Sequence, residues 1–320
     1  MGEELISVLV PVYNVRGWLP ECLKSISDLT WTDWEAVLVD DGSTDGSGEI
    51  CDGFAAEDSR FRVIHQENSG VSASRDKALS LARGKYVYFA DADDCLHPCA
   101  LEYLHSAICS GPYRMASADY VRVHDHGGWG EEKPFDGIRK RIVSGEECAL
   151  NCVDKDDMTW LVVWNKLIDK SLLDGKTFED IAQEDRLFVF RLFTETDSFI
   201  HLEYPLYAYM DRPKSLSKED YYLSFKSDMT LFDKMLQHTG SKSVRAMIMK
   251  KSFRRYLTAR YHAKGGEGKK KIREAFRPFF DEHGKEYLSS GDIPFQEKAL
   301  SATLYLCPWA VWAYMKMTSN

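Results

Sequence analysis

Two aspartates separated by one residue, Asp91-Ala92-Asp93, directly follow the apolar run Tyr86-Val87-Tyr88-Phe89-Ala90. Carboxylates brought together by a turn are hard oxygen ligands that suit Mg2+ or Mn2+ and leave coordination positions for phosphate oxygens and water. Such a cation offsets the negative charge that builds on a departing diphosphate. A lone D-x-D triplet is short, and acidic residues after a strand as readily begin a loop. A second cluster, Asp40-Asp41-Gly42-Ser43, follows a second apolar run, Ala36-Val37-Leu38-Val39. Asp41 is a candidate acceptor for the imide N–H of uracil, with guanine N–H donors equally compatible. Asp-Gly-Ser is also common turn chemistry. Further along, Glu184 and Asp185 stand at an expected helix start, where a carboxylate either takes a proton from a reacting hydroxyl or simply favours the helix dipole.

Those aspartates can cooperate only if the strands before them end together. The first hundred residues alternate short apolar runs with helical patterns, which predicts parallel βαβ units. Strands are expected at Leu5–Val12, Glu35–Val39, Phe61–His65 and Lys85–Ala90. Helices are expected at Leu19–Leu29, near Ser47–Ala56, and at Ser72–Ala82 with Ser72 as its cap. In open α/β sheets ligands bind outside the carboxyl ends of the strands, where both aspartate clusters would stand. After residue 98 the pattern predicts a helix at Pro98–Cys109, an extended Met115–Val123, and a glycine-bearing loop at His124–Gly130. It then predicts a strand over Trp160–Ile168, a helix over Glu184–Leu192, and two short strands around Pro205 within Phe199–Met210. From about Glu219 the chain reads as helical. The division is therefore a catalytic α/β domain over 1–215 and a helical region over 216–320.

The 320 residues carry a formal charge of −9, distributed unevenly. Residues 242–277 hold thirteen Lys or Arg against Glu267 and Glu274, or +11, which leaves −20 for the rest. An acidic catalytic half argues against a nucleic acid partner. The basic stretch suits either a solvated helix face or an anionic surface such as a membrane leaflet. The eight cysteines form no C-x-x-C pair and no zinc-type spacing, which fits reduced thiols in a cytosol. Met1–Val12 has no basic n-region, and no stretch approaches the ~20 apolar residues that span a bilayer. Leu304–Met317, aromatic but short, could lie in a membrane interface. The expectation is a cytoplasmic protein, peripheral at the inner membrane face or paired with a second copy through its C-terminal helices.

Four motifs occur in order: Leu9-Val10-Pro11-Val12-Tyr13-Asn14, Val39-Asp40-Asp41-Gly42-Ser43-Thr44-Asp45, Asn68-Ser69-Gly70-Val71-Ser72-Ala73-Ser74-Arg75 and Asp91-Ala92-Asp93-Asp94. Together they resemble family-2 glycosyltransferases of the GT-A fold. Trp164-Asn165-Lys166-Leu167 and Glu184-Asp185-Arg186-Leu187-Phe188 resemble later motifs of the bacterial members that build surface polysaccharides. The resemblance covers about residues 5 to 213. It implies a mixed, mainly parallel sheet that binds a nucleotide-diphosphate sugar, with Mg2+ or Mn2+ as cofactor and a saccharide or lipid-linked saccharide as acceptor.

Position by position, the resemblance implies that Pro11 and Tyr13 pack beside the base and that Asp41 binds it. Asn68 and Gly70 belong to the donor loop, and Arg75 is a basic residue near the nucleotide. Asp91 contacts ribose or sugar across Ala92 from Asp93, the metal ligand. Asp185 is the general base of an inverting transfer, with Glu184 next in line. For the acceptor, Trp129 could stack on a sugar face, Trp164 could do the same, and Arg212 could add positive charge near the diphosphate; each also has an ordinary reading as loop, core or basic turn. A nicotinamide dehydrogenase is a poor rival because Pro11-Val12-Tyr13-Asn14 stands where a G-x-G-x-x-G would follow the first strand. A nucleotidyltransferase, or a sugar-nucleotide-binding protein without turnover, are the rivals.

Overall fold

Ile6–Val12 carries no charged side chain and is buried along almost its whole length as the central strand β1. It opens the computed structural model, which describes residues 4–124, 134–154, 157–211, 221–263 and 265–306. Helix α1, Leu19–Ser27, buries Leu19, Cys22, Leu23 and Ile26, the stripe that a 3.6-residue period puts on one face. β2 (Trp34–Asp40), α2 (Ser47–Glu57), β3 (Phe61–His65), α3 (Val71–Leu81) and β4 (Tyr86–Phe89) complete the βαβ series within a residue or two of expectation. Ser72 is not the cap of α3. Gly70 occupies that position with φ +88°, and the Ser72 hydroxyl, already inside the helix, donates to the Glu179 carbonyl.

The second half of the sheet is less regular. A two-residue strand β5 (Cys95–Leu96) precedes α4 (Ala100–Ile108) and β6 (Met115–Val123). β7 (Lys140–Ser144), α5 (Gly145–Asp154), α6 (Met158–Leu161), β8 (Lys166–Asp169), α7 (Glu184–Thr194) and β9 (Ser198–Met210) follow. The strand expected over Trp160–Ile168 is therefore a turn of helix, a loop and only then a strand. Asp157 caps the helix by accepting from the Thr159 N–H, and Lys166 closes it, its buried ammonium donating to the Thr159 and Val162 carbonyls at 2.8 Å each. Phe199–Met210 is likewise one continuous strand, with the irregularity that Pro205 imposes taken up by register shifts against β6 at Ala118–Tyr120.

The nine strands form one sheet in the order β3-β2-β1-β4-β8-β6-β9-β5, with β7 added on β9. β1 runs parallel to β2 and β4, β2 to β3, and β6 to β9, while β5, β7 and β8 run the other way. The register sets Val12 beside Asp40 and Leu9 beside Phe89, so β1, β2 and β4 finish at one edge.

At the start of β2, Glu35 is 2% exposed and accepts from the Ser7 hydroxyl, the Arg62 guanidinium, and both the backbone and side chain of Arg83. Burial pushes its carboxyl up, but the hydrogen bonds from Arg83, Ser7 and Arg62 outweigh it and hold the group at about 2, below its ordinary 4.5. A depressed carboxyl contributes stability that is present above the unfolded value and is lost as pH falls through the folded one. Glu35→Gln is therefore expected to cost on the order of 3 kcal/mol at pH 7. Urea unfolding repeated towards pH 3 should show the gap between wild type and variant narrowing.

The chain divides into two compact units: Met1–Gly145 with Asp157–Asp180 and Glu184–Ser215, and Glu146–Asp156 with Ile181–Gln183 and Leu216–Asn320. The second contains α8 (Tyr221–Gln237), α9 (Lys242–His262), α10 (Gly265–Ser289) and α11 (Phe295–Leu306). Its core is aromatic, with Tyr256 stacked on Phe276 at 4.4 Å and Phe253 on Tyr287 at 5.3 Å. Much of the basic stretch is matched by acids outside it: Arg245 pairs with Glu286, Lys250 and Arg254 with Glu297, Arg255 with Asp228, and Lys251 with Asp154. Among the described residues no helix is long and apolar enough to cross a membrane. Leu304–Met317 lies mostly outside the described residues.

Candidate active site

Three loops leave the carboxyl edge of β1, β2 and β4, and hydrogen bonds tie the first two together. Asn14, with φ +50°, accepts from the Thr44 N–H at 2.8 Å and donates its own N–H to the Ser43 hydroxyl at 3.1 Å. The Arg16 N–H donates to Asp45 at 3.0 Å, and Asp45 also accepts from the Ser47 N–H at the start of α2. These bonds use the polar residues of Asp-Gly-Ser-Thr-Asp to fix the loop rather than leaving them to solvent. Beside them Tyr13 is 51% exposed, an open aromatic face after β1.

Asp41 is buried and heavily used. One carboxylate oxygen accepts from the Gln66 amide and the Ser69 N–H at 2.8 Å each, and the other from the Gly70 N–H at 2.9 Å. Asp41 thus holds Gln66–Gly70, which includes exposed Asn68 and Gly70, against the end of β2. One acceptor position remains on Oδ2, because a carboxylate offers about four. Gly42 makes this docking possible: it has φ +74°, and a Cβ there would meet the Asn68 nitrogen at 3.1 Å and the Gln66 oxygen at 3.3 Å. Gly42→Ala is expected to cost roughly 1–2 kcal/mol in backbone strain and to displace Asn68. A lower melting temperature together with weaker nucleotide binding in a calorimetric titration would check it; unchanged binding would separate the loop from the site.

The Asp91-Ala92-Asp93-Asp94 turn follows β4, closed by the Asp94 N–H donating to the Asp91 carbonyl at 3.1 Å. Tyr207 on β9 secures it from below: its hydroxyl accepts from the Asp91 N–H at 3.0 Å and donates to Asp94 at 2.8 Å. Asp94 also accepts from the Met210 N–H at 2.7 Å and is buried. Burial, then the charges of Asp91 and Asp93, push its carboxyl well up. Asp91 and Asp93 are partly exposed beside buried Ala92.

Arg75, on the second turn of α3 and 4% exposed, bridges this turn to a distant helix. Its guanidinium donates to Asp91 at 3.0 Å and to Glu184 at 2.6 Å, and it lies over the Phe178 ring at 5.5 Å. The Phe178 ring is itself stacked on Phe188 at 3.9 Å, which fixes the start of α7 next to α3. Burial would lower the Arg75 pKa, but Asp91, Asp185 and Glu184 more than compensate and raise it. Asp185 accepts from the Arg186 N–H at 2.8 Å. Burial, then the charge of Glu184, push its carboxyl up to about 7 against the opposing pull of Arg75.

Pro11, Tyr13, Asp41, Asn68, Gly70, Asp91, Ala92 and Asp93, on strand ends and loops, thus lie in one compact unit with Arg75 of α3 and with Glu184 and Asp185 at the start of α7. Trp164 departs from expectation. It is 2% exposed, stacked on Tyr207 at 4.5 Å and on Tyr209 at 5.7 Å, with Tyr120 against it edge-on, so it is core and offers no face to an acceptor. Trp129 and Arg212 lie outside the described residues. Tyr207 escaped notice because it is 116 residues from Asp91 and nothing in an alternating strand pattern marks one tyrosine as a turn's anchor.

The sequence model of glycosyl transferase family 2 matches residues 7–177, more than half of the chain. The chain belongs to glycosyl transferase family 2. Among its curated relatives, the glycosyltransferase GlyG of Streptococcus pneumoniae is 30% identical over 71% of this chain and 77% of its own. GlyA of the same organism is 34% identical over 68% of this chain but only 32% of its own length. Among solved structures, S. aureus TarS 1-349 in complex with UDP-GlcNAc superposes with a TM-score of 0.74 at 17% identity, covering 96% of this chain and 89% of that one. This is the GT-A fold. Family membership sets the nucleotidyltransferase reading aside. The match stops short of Glu184 and Asp185, so their place in the site rests on the Arg75 bridge.

Proposed function

We propose that this family-2 enzyme transfers a hexose or N-acetylhexosamine with inversion from a UDP-sugar to a saccharide or lipid-linked saccharide of the cell surface. The observation that carries the reading is the Arg75 bridge, which joins the Asp91 turn to the helix start bearing Asp185. Asp185, held at about 7, is poised between charged and neutral at physiological pH, as a general base should be. It takes the proton of the acceptor hydroxyl as that oxygen bonds to the anomeric carbon. The bond to the diphosphate breaks on the opposite face, and its electron pair leaves with UDP.

On the donor side, exposed Tyr13 and Pro11 form the platform for uracil, and Asp41 uses its remaining acceptor position for the base while shaping the Asn68–Gly70 loop. TarS, bound to UDP-GlcNAc in a related fold, supports the uridine choice. Asp91 meets the ribose or sugar. The residues after β4 fit a divalent cation: their donors are hard oxygens, and Asp91 and Asp93, partly exposed, stand in the same turn as the buried Asp94. Asp93 would hold Mg2+ or Mn2+, which when bound supplies positive charge to the leaving diphosphate. Among the described residues no cluster of three or more His, Cys, Asp or Glu ligand atoms forms at this turn, so a cation held by Asp93 would depend on phosphate oxygens and water for its remaining positions. A polysaccharide acceptor rests on the Trp164–Leu167 and Glu184–Phe188 motifs and on the basic residues of α10 as a contact for an anionic surface.

Calorimetric titration with UDP and GDP, each with Mn2+ and with EDTA, tests the donor half. UDP binding that needs Mn2+ and is lost in Asp93→Ala is the expected result. Equal binding in EDTA, or preference for GDP, would overturn it.

A further inference from the structure

At the other end of the strands from the candidate active site, Glu4, His105 and Cys109 bring a carboxylate, an imidazole and a thiol together, with their ligand atoms all within 4.8 Å of one another. The geometry points to a Zn2+ site at these three residues, with water as the fourth ligand. His105 lies in the last turn of α4 and Cys109 is its C-cap, with the Cys109 N–H still donating to the His105 carbonyl at 3.0 Å. Spacing of four residues on a helix points two side chains the same way. Glu4 arrives just before β1, 101 residues from His105 in sequence.

The separations of the ligand atoms match those a tetrahedral metal would set. Tetrahedral zinc with Zn–S of about 2.3 Å and Zn–N and Zn–O of about 2.0–2.1 Å places sulfur and nitrogen about 3.6 Å apart, and nitrogen and oxygen about 3.4 Å apart. Cys109 Sγ stands 3.6 Å from His105 Nε2, and His105 Nε2 stands 3.4 Å from Glu4 Oε2. The nitrogen-to-oxygen gap exceeds the ordinary 2.7–3.2 Å range of a hydrogen bond. One imidazole nitrogen faces both partners and carries at most one proton, so it cannot donate to both; the Tyr86 hydroxyl, 3.8 Å from Cys109 Sγ, is the thiol's other neighbour, and a cation between the three would engage carboxylate, imidazole and sulfur together.

The surroundings hold the ligands in place. The His105 ring packs on Trp31 at 4.4 Å and edge-on to Tyr86 at 5.3 Å. Lys85 donates to Glu4 Oε1 at 2.6 Å, which orients the carboxylate and leaves Oε2 for the metal. Zn2+ binding releases the Cys109 thiol proton to solvent, and the thiolate and the Glu4 carboxylate, which Lys85 also contacts, offset most of the ion's charge. Such a site would tie the residue before β1 to the end of α4, so it acts on stability rather than on turnover.

Cobalt is the probe, because a thiolate bound to Co2+ gives a near-ultraviolet charge-transfer band that the carboxylates after β4 cannot produce. We expect one equivalent of Co2+ to produce that band with strong tetrahedral d–d absorption, and Zn2+ to bleach both. The band should vanish in Cys109→Ala and weaken in His105→Ala. Zn2+ should raise the melting temperature of the wild type and leave that of Cys109→Ala unchanged. Cys109 is exposed, so its alanine variant is expected to fold, and circular dichroism checks this. No thiolate band in the wild type, or the same band in Cys109→Ala, would overturn the assignment.

Discussion

Asp185→Asn should lower kcat by about 10^2–10^4-fold, the range that a positioned proton acceptor supplies, and leave the affinity for UDP with Mn2+ nearly unchanged. Asparagine keeps the shape and the hydrogen bond from the Arg186 N–H but cannot accept a proton from the acceptor. The pH dependence follows from the raised carboxyl. A base works when ionised, so kcat/KM of the wild type should fall tenfold per unit as pH drops below about 7. That acid limb should be missing from whatever activity the variant retains. Stability should move the other way. A carboxyl whose folded pKa is raised makes the folded state lose stability as pH climbs from its ordinary value of 3.8 to about 7, and the loss is complete above that, so the variant should melt higher than the wild type at pH 8. Loss of activity with gain of stability is difficult to attribute to a merely structural residue.

Arg75→Met is expected to be damaging on both counts. It leaves Asp91 and Glu184 facing each other without the cation that joins them, and breaking a buried pair in this way costs about 3–5 kcal/mol. Both carboxylates are partly solvated, at 29% and 16% exposure, so the lower end is expected. Arg75→Lys separates position from charge. An ammonium keeps the charge but lacks the planar fork that reaches two carboxylates at once. The Lys variant should fold, and should lose activity on the order of 10–100-fold as a supporting residue does, mostly in kcat. Wild-type turnover in Arg75→Lys would show that the bridge does not position Asp185.

The βαβ series was legible because β2 and β4 are apolar on both faces and end in acidic turns, a pattern helices seldom mimic. The donor residues followed from that, since parallel strands that finish together deliver their aspartates to one edge. Trp160–Ile168 misled because a short apolar run looks the same in a strand and in a buried helix turn. What decides the matter there is the Lys166 ammonium reaching back to two carbonyls and Asn165 at φ +57°, neither visible in periodicity. Trp164 misled for a related reason: composition marks a tryptophan as a stacking surface but does not say whether Tyr207 and Tyr209 already cover it. The Arg75–Glu184 contact spans 109 residues, so a sequence can suggest both residues without joining them.

The most direct test of the central claim follows the first anomer released when the enzyme slowly hydrolyses an α-linked UDP-sugar. Proton NMR at early times, with Mn2+ and a panel of UDP-GlcNAc, UDP-glucose and UDP-galactose, reads it before mutarotation. The account predicts that the β anomer appears first, that EDTA stops its release, and that Asp185→Asn does not produce it. The α anomer appearing first, or unchanged release by Asp185→Asn, would contradict an inverting transfer with Asp185 as its base.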